Sequence, residues 1–498
     1  MTILSYGQQW IKTYCDTGGY GGVFAVETYD KGFLIGGSAN TGTKNSILYK
    51  TDVNGKVLWQ RIIGTSGSNT NIQAICTAPD GGCAIVGEIS TSNSLNEAFL
   101  LKLNACGEME WSKRFHVSAS IISNHICLMK DGGFVFNLGE NANDLVYSGW
   151  VYRCDEFGNF VWTIHLSYLP KNLFVDDSDN VIVTGYHFSQ FDFYHGQDNT
   201  LIPYNSVKIL KLDSIGKTLL SGDQTDYQNL GAQTIPAPGG NYLTCGSDAG
   251  NSNNYDLHLF LWDYKGSLIR NIALIDPSYT NSPVDMIIGS DSNYIVLAMH
   301  IGNNSLNYNM KIMKISNDTI ESSSAPFNFG FNVYPSTLRA TSDGKYIISG
   351  SVKNGNSDIG IYAAKINSSL QLDTFYSAKY SYDYLCNNIQ DTGTILLDNA
   401  PEKNLAINEQ KEMNQTFSIY PDPARDFISL SYSGLSDSRV QFSLYNILGV
   451  NVISSGYSAD KNGNLNQQIG LQGIPSGCYI VELVQGNKRL LKKVMIEK

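Results

Sequence analysis

The residues best suited to chemistry in this chain gather between Tyr186 and Ser206, where His187, Phe191, Asp192, Phe193, Tyr194, His195 and Asp198 stand close together. Rings beside carboxylates and imidazoles suit a sugar, which stacks on the ring while polar groups take its hydroxyls. His187, Asp192 and His195 are also metal-ligating types. Their spacing matches no ligand motif, and a polar surface loop is the simpler reading, so no metal is expected. The chain has no His-Glu-x-x-His pair, no Gly-x-Ser-x-Gly elbow and no glycine-rich phosphate loop. Asp176-Asp177-x-Asp179-Asn180 imitates a calcium loop but occupies a recurrent turn position. Asp460-x-Asn462-Gly463-Asn464 begins like one but lacks the closing Glu. Paired carboxylates for glycoside cleavage would have to come from distant segments. No catalytic residue and no cofactor are assigned.

The elements that must position these residues recur. Trp10, Trp59, Trp111 and Trp162 head equivalent segments at spacings of 49, 52 and 51. A turn followed by an apolar run recurs as Asp30-Lys31-Gly32-Phe33, Asp80-Gly81-Gly82, Asp131-Gly132-Gly133-Phe134, Asp291-Ser292-Asn293-Tyr294 and Asp343-Gly344-Lys345-Tyr346. A strand ending in a polar turn recurs as Ile47 to Asp52, Phe99 to Asn104 and Ile209 to Asp213. Each unit of roughly fifty residues holds short apolar runs, A to D, bounded by Gly and Asp, which are strands. Such a period is the mark of a propeller blade. The expected fold is all-β: a β-propeller of about seven blades over residues 1–399, then a linker at 400–416 and a small Ig-like β-sandwich at 417–498. Trp10 to Tyr14 reads as a D strand with no A to C before it, placed to complete the last blade and remove an open edge. Turns A–B and C–D share one face. The longer B–C and D–A connections share the other, with the Tyr186–Ser206 insert.

Charge narrows the partners. With 34 basic and 45 acidic side chains the net charge is −11, which repels a phosphate backbone, so nucleic acid is not an expected partner. The segment from Gln415 to Lys498 holds eight basic and six acidic residues, so the acid excess lies wholly before it. No apolar run approaches the length of a membrane helix. The opening residues carry neither a basic residue nor the apolar run of an export signal, so either the protein stays inside or its signal lies upstream. The nine cysteines include no Cys-x-x-Cys and read mainly as buried free thiols, although Cys76 and Cys83 flank one turn and could pair.

Beyond residue 416 come Tyr420-Pro421-x-Pro423-Ala424, Leu444-Tyr445-Asn446-x-x-Gly449, Ile474-Pro475-Ser476-Gly477-x-Tyr479 and a lysine-bearing last strand with Lys492 and Lys493. This segment resembles the C-terminal sorting domain of type IX secretion cargo from Bacteroidota. Asp422 departs from the usual Asn, and both cap a turn. The resemblance implies recognition by the type IX secretion machinery and a destination outside the cell or on the outer-membrane surface. Two further features resemble such cargo: the tryptophan-headed propeller repeat, and Tyr382-Asp383-x-x-Cys386 with Thr394-Ile395-x-Leu397-Asp398.

The expected function is that of an exported monomeric binding or adhesion module for a glycan or protein. A secreted polysaccharide hydrolase or lyase using loop carboxylates, and a structural surface scaffold, are the alternatives. An enzyme is the less favoured reading. Aromatics on the long-loop face favour binding, two close carboxylates in a central pocket favour hydrolysis, and a closed apolar channel favours a scaffold.

Overall fold

The computed structural model describes residues 9–14, 23–40, 44–90, 96–116, 120–142, 146–195, 201–224, 229–248, 256–274, 279–302, 308–316, 319–324, 327, 332–354, 357–377, 380–382, 385–386, 391–398, 402–404, 417–421, 424–433, 439–446, 450–458, 464–485 and 488–497. The chain divides into two compact units, Met1–Asn404 and Leu405–Lys498.

The first unit is a propeller of four-stranded antiparallel blades. Blade 1 comprises Phe24–Glu27, Phe33–Asn40, Lys44–Thr51 and Val57–Gly64 as strands A to D. Blade 2 runs Asn69–Thr77, Cys83–Ser90, Asn96–Leu103 and Met109–His116. Blade 3 runs Ser120–Leu128, Phe134–Ala142, Val146–Cys154 and Phe160–Leu166. Blade 4 runs Leu169–Val175, Val181–His195, Leu201–Leu212 and Thr218–Gln224, and its ladder joins that of blade 3 at one residue pair, Val146 with Ser189. Blade 5 is Asn229–Ala237, Asn241–Asp248, Asp256–Trp262 and Leu268–Leu274. Blade 6 is Tyr279–Ile288, Tyr294–Gly302, Tyr308–Ser316 and Thr319–Ser323. Blade 7 takes Asn332–Ala340, Tyr346–Asn354 and Ser357–Ile366 from late in the chain and Ile11–Tyr14 from its start, with Ile11 opposite Ala364. This pairing leaves the ring no open blade.

The tryptophan repeat has a physical reason. Each strand-D indole lies under the C–D turn of the next blade. Trp10 donates its Nε1–H to the Val53 carbonyl at 2.7 Å, Trp111 to Glu156 at 3.2 Å and Trp162 to Ser214 at 3.0 Å. The glycine of that turn has positive φ, as at Gly158 (77°), and a Cβ there would lie 2.9 Å from the Trp111 ring. Only glycine satisfies both the φ and the close approach. At blade 1 the bond is made by Arg61, stacked on Trp59, which donates to the Gly107 carbonyl at 2.9 Å and the Cys106 carbonyl at 2.7 Å.

A second repeat lies inside the blades. A strand-C cation meets an acid of the same blade's A–B turn: Lys50 with Asp30, Lys102 with Asp80, Arg153 with Asp131, Lys211 with Asp176, Lys314 with Asp291 and Lys365 with Asp343. Blade 5 has Leu261 at the cation's place and the acid-free turn Pro238–Gly240. Both partners are absent together, so neither charge is left alone there, which would be costly. Asp176 also accepts the backbone N–H of Ser178 and of Asn180, both at 2.9 Å, so the acid-rich blade 4 segment is a turn and not a cation loop. The 459–463 segment lies outside the described residues.

Beyond blade 7 the chain returns over blades already built. Thr392–Leu396 adds as a parallel strand to the outer edge of blade 1, and Glu402–Asn404 does the same on blade 2. Ile395 and Leu397 enter the apolar core between those blades. A disulfide joins Cys386 to Cys106 across a sequence separation of 280. Cys76 and Cys83 are not joined; both are free. Cys76 stands opposite Ala84 and Cys83 opposite Thr77, so adjacent register positions send the two thiols to opposite faces of the sheet. Burial raises the Cys83 thiol to about 12.

The second unit packs two antiparallel sheets. One holds Phe417–Tyr420, Phe427–Ser433 and Asn464–Gly470; the other holds Asn451–Ser458, Arg439–Asn446, Gly477–Gln485 and Lys488–Ile496. Ile428, Leu430, Phe442, Leu444, Val481 and Val494 form its core, the alternate inward residues of facing strands.

Candidate functional site

The blade 4 insert is strand for most of its length. Val181–His195 and Leu201–Leu212 continue to pair past Tyr186, through Ser189 opposite Tyr204, and resume at Phe193 opposite Pro203 up to His195 opposite Leu201. Gln190, Phe191 and Asp192 have no partner across the ladder, which marks a bulge there. Strand C of this blade has 12 residues against 8 in blades 1 and 2. At the strand rise of about 3.3 Å per residue, the hairpin reaches roughly 13 Å further than theirs. The expected loop is therefore an extended β-ribbon. His187, Phe191, Asp192, Phe193, Tyr194 and His195 lie on one strand of it; the side chains of these six, and the whole of Asp198, lie outside the described residues.

The inner strands of blades 1, 2, 3, 5, 6 and 7 line a central channel of about 270 Å³. Its wall is polar. Gln73 donates its Nε2–H to Glu88 at 3.0 Å. Asp285 Oδ2 accepts the Leu338 N–H at 2.8 Å and the Arg339 guanidinium at 2.5 Å, and its Oδ1 accepts the Met286 N–H at 2.9 Å. Thr337 shares a 2.6 Å hydrogen bond with Ser349. His125 faces this lumen, and burial, with help from Arg339 and Lys171, lowers its pKa to about 3, so its imidazole is neutral. Asp285 is saturated by Arg339 and the backbone. Among the described residues the channel lining thus offers hydrogen-bonding groups and one carboxylate, Asp285, which is engaged. No group of His, Cys, Asp and Glu among the described residues is placed to hold a metal ion.

In the second unit the motif residues divide between core and surface. Tyr479 is buried and donates its hydroxyl to the Pro475 carbonyl at 3.0 Å, fixing the turn that opens Gly477–Gln485. Tyr420 is exposed at the end of its strand before Pro421. Lys492 is exposed on the last strand, where Lys493 stands opposite Ile480. Pro423 and Gly449 lie outside the described residues. Tyr445 donates its hydroxyl to the buried Glu482 at 2.8 Å, a tie across neighbouring strands that the motif reading did not contain.

Sequence reasoning missed the ion-pair ladder, although the Asp and the Lys or Arg of the other six blades were visible. The signal was their joint absence from blade 5.

Comparison with known proteins bears on the two units differently. No curated protein matches the chain. Among solved structures the propeller is similar to a polysaccharide lyase of family PL25, an ulvan lyase, with 11% identity, a TM-score of 0.48, and coverage of 72% of this chain and 96% of that one. It is also similar to the α-L-arabinofuranosidase arb93a of Fusarium graminearum (12% identity, TM-score 0.39, 60% and 93% coverage) and to Drosophila Plexin A (8%, 0.37, 72% and 87%). Likeness this distant carries no activity across. No helix among the described residues is long and apolar enough to cross a membrane. Residues 418–497 match the family model described as a secretion system C-terminal sorting domain. The second unit is therefore a type IX sorting domain, the mark of a protein exported to the cell surface or secreted.

Proposed function

We propose that the propeller is the working part of an exported binding protein and that it grips a glycan or protein ligand with the blade 4 ribbon. The observation carrying this reading is the ribbon's length: paired strands hold a stretch rich in rings and acids well beyond the blade. A rigid scaffold with one extended element is the usual form of a binding site. Within it Phe191, Phe193 and Tyr194 supply the rings, and His187, Asp192, His195 and Asp198 supply hydrogen-bonding groups for hydroxyls. The sorting domain supports delivery to the outer surface or the medium, where such ligands are met.

The test uses the full chain on arrays of glycans and polysaccharides, read for both binding and release of product. Replacing Phe193 and Tyr194 together by Ala is expected to abolish binding while leaving the melting temperature unchanged. Melting lowered with binding intact would assign those rings to packing and reject the site. Release of product would replace binding by cleavage.

A further inference from the structure

The returning strap fills two gaps between blades on the tight-turn face, and each filling uses a tyrosine. Between blades 7 and 1, the Tyr376 hydroxyl receives the Lys365 ammonium at 2.7 Å, bonds Asp343, and lies with its ring 4.4 Å from that ammonium. The Tyr376 backbone is clamped by Asn54 in the blade 1 C–D turn, through bonds of 2.7 and 2.9 Å. Between blades 1 and 2, the Tyr382 ring lies 5.5 Å from the Lys50 ammonium, and its hydroxyl accepts the Val53 N–H at 2.8 Å. Leu385 lies against Gly81, and Cys386 is bonded to Cys106 in the blade 2 C–D turn. One pattern serves both gaps: a tyrosine ring against the strand-C lysine, and an anchor at the third residue of the next blade's C–D turn.

The gap between blades 2 and 3 repeats this frame, and none of the strap's described residues lines it. It is a cleft of about 530 Å³. At its base Lys102, 4% exposed, is held by Asp80 at 2.5 Å and by a second acid, Glu110, at 2.7 Å, where Lys50 is paired with Asp30 and Lys365 with Asp343. Burial opposes its charge, but the bonds to the two acids outweigh that and raise its pKa. Trp111 forms one wall. At the anchor position held by Asn54 and Cys106 in the filled gaps stands Phe157, 66% exposed. The next gap is closed otherwise: Lys130 of blade 3 reaches across to the Asp177 carbonyl of blade 4.

We propose that the blade 2–3 cleft is a docking site for a tyrosine-bearing extended segment of another protein chain. It continues, one blade on, an interface the molecule already makes with itself. The lysine takes the phenol oxygen and ring face, as it does from Tyr376, and Phe157 packs beside the segment where Cys106 anchors the strap. This chain does not supply the occupant from its linker, because residues 400–416 contain no aromatic side chain. The site is distinct from the blade 4 ribbon, which extends from the face of the B–C connections.

The probe is a synthetic peptide copying residues 373–386 with Cys386→Ser, labelled and titrated into the full-length oxidised protein. Saturable binding is expected, weakened about tenfold or more by Phe157→Ser at unchanged melting temperature, and absent for a peptide with both Tyr376 and Tyr382 replaced by Ala. A second measurement does not depend on tolerance of the serine. In Phe157→Cys protein, a peptide retaining Cys386 is mixed with oxidised glutathione. The two thiols and one glutathione disulfide yield a protein–peptide disulfide and two reduced glutathiones. A one-to-one adduct is expected with this variant and not with the unsubstituted protein. No saturable peptide binding, binding indifferent to Phe157→Ser, or capture equal in both proteins would overturn the proposal. So would an oligosaccharide that binds through Phe157 where the peptide does not.

Discussion

Blades 1 and 2 and blades 3 to 5 share one strand plan, yet they meet the outside differently. On the first pair the outer strands are covered by parallel strands of the returning chain, and the C–D turns hold a clamp at Asn54 and a disulfide at Cys106. On the others, the matching turns present Phe157, Ile215 and Tyr264, exposed by 66%, 73% and 61%, and the outer strands present Val161, Leu219 and Ile269. At the third turn position the covered blades carry Asn54 and the disulfide of Cys106, blades 3 and 4 carry Phe157 and Ile215, and blade 5 carries Lys265 beside the exposed Tyr264. The covering also changes the ion pairs beneath it. Asp30 and Lys50 are 2% and 5% exposed under Tyr382, whereas Asp291 and Lys314 of blade 6 are 46% and 18% exposed. One repeated pair is thus a buried structural element in one place and a solvated contact in another.

The largest effect that would break this comparison lies in the buried pair. Asp30→Ala strands the Lys50 ammonium and is expected to cost about 3–5 kcal/mol, measured by denaturant unfolding. Replacing both partners in the manner of blade 5, with Lys50→Leu added, is expected to recover most of that loss. Asp291→Ala in blade 6 is expected to cost less than about 1 kcal/mol. Equal costs in the two blades would show that the strap does not bury what lies beneath it.

Next comes the disulfide. Cys386→Ser leaves the strap held by Tyr376, Tyr382 and its two short strands, and is expected to cost about 2–4 kcal/mol. Limited proteolysis should then cut between blade 7 and Thr392 before any blade is opened. Adding reductant to the unsubstituted protein should reproduce both results. A variant that melts and resists protease like the parent would reduce the strap to decoration.

How much of this was legible beforehand follows from where each constraint originates. The blades were readable because their signals are local: an Asp-Gly turn, a short apolar run and an indole every fifty residues or so each act within one unit. The sorting domain was readable because Tyr479 and the Gly477 turn serve a compact core built within eighty residues or so. The strap was visible only as a motif, Tyr382 with Cys386, without its purpose. Its partners, Lys50, Val53 and Cys106, lie some three hundred residues earlier, and no periodicity connects them. The Cys106 signal was still present, since a lone cysteine replaces Asn54 at one turn position. The ribbon on blade 4 was read as a loop because its rings and acids break strand alternation, while backbone pairing carried it through a bulge.

A smaller effect separates the strap's anchors by pH. The Asp343 carboxyl is buried in part, which opposes its ionisation, but hydrogen bonds from Lys365, Thr341 and Tyr376 outweigh this and hold its pKa below the ordinary range. A lowered folded pKa gives stability that is present above the unfolded value near 3.9 and lost as pH falls from there towards the folded value. With partial solvent exposure the contribution is expected to be about 1 kcal/mol. The difference in unfolding free energy between the parent and Asp343→Asn should therefore shrink between pH 5 and pH 3. A constant difference would remove Asp343 charge from the strap's support.

The smallest effect tests the bare blades directly. Ile215 is 73% exposed and donates nothing to a neighbour through its side chain, so Ile215→Asn should change stability by less than about 0.5 kcal/mol. At the same turn position in blade 1, Asn54 bonds the Tyr376 backbone through both its amide oxygen and its amide nitrogen. Asn54→Ala breaks these two bonds and leaves a part-buried backbone N–H and carbonyl without their partners, which should cost about 1–2 kcal/mol. Thermal melts of the two single variants and of the double variant suffice. The sites are blades apart and share no partner, so the double should equal the sum of the singles within about 0.5 kcal/mol. If Ile215→Asn costs as much as Asn54→Ala, the turn residue of blade 4 is packed against something, and the division between covered and bare blades fails at that blade.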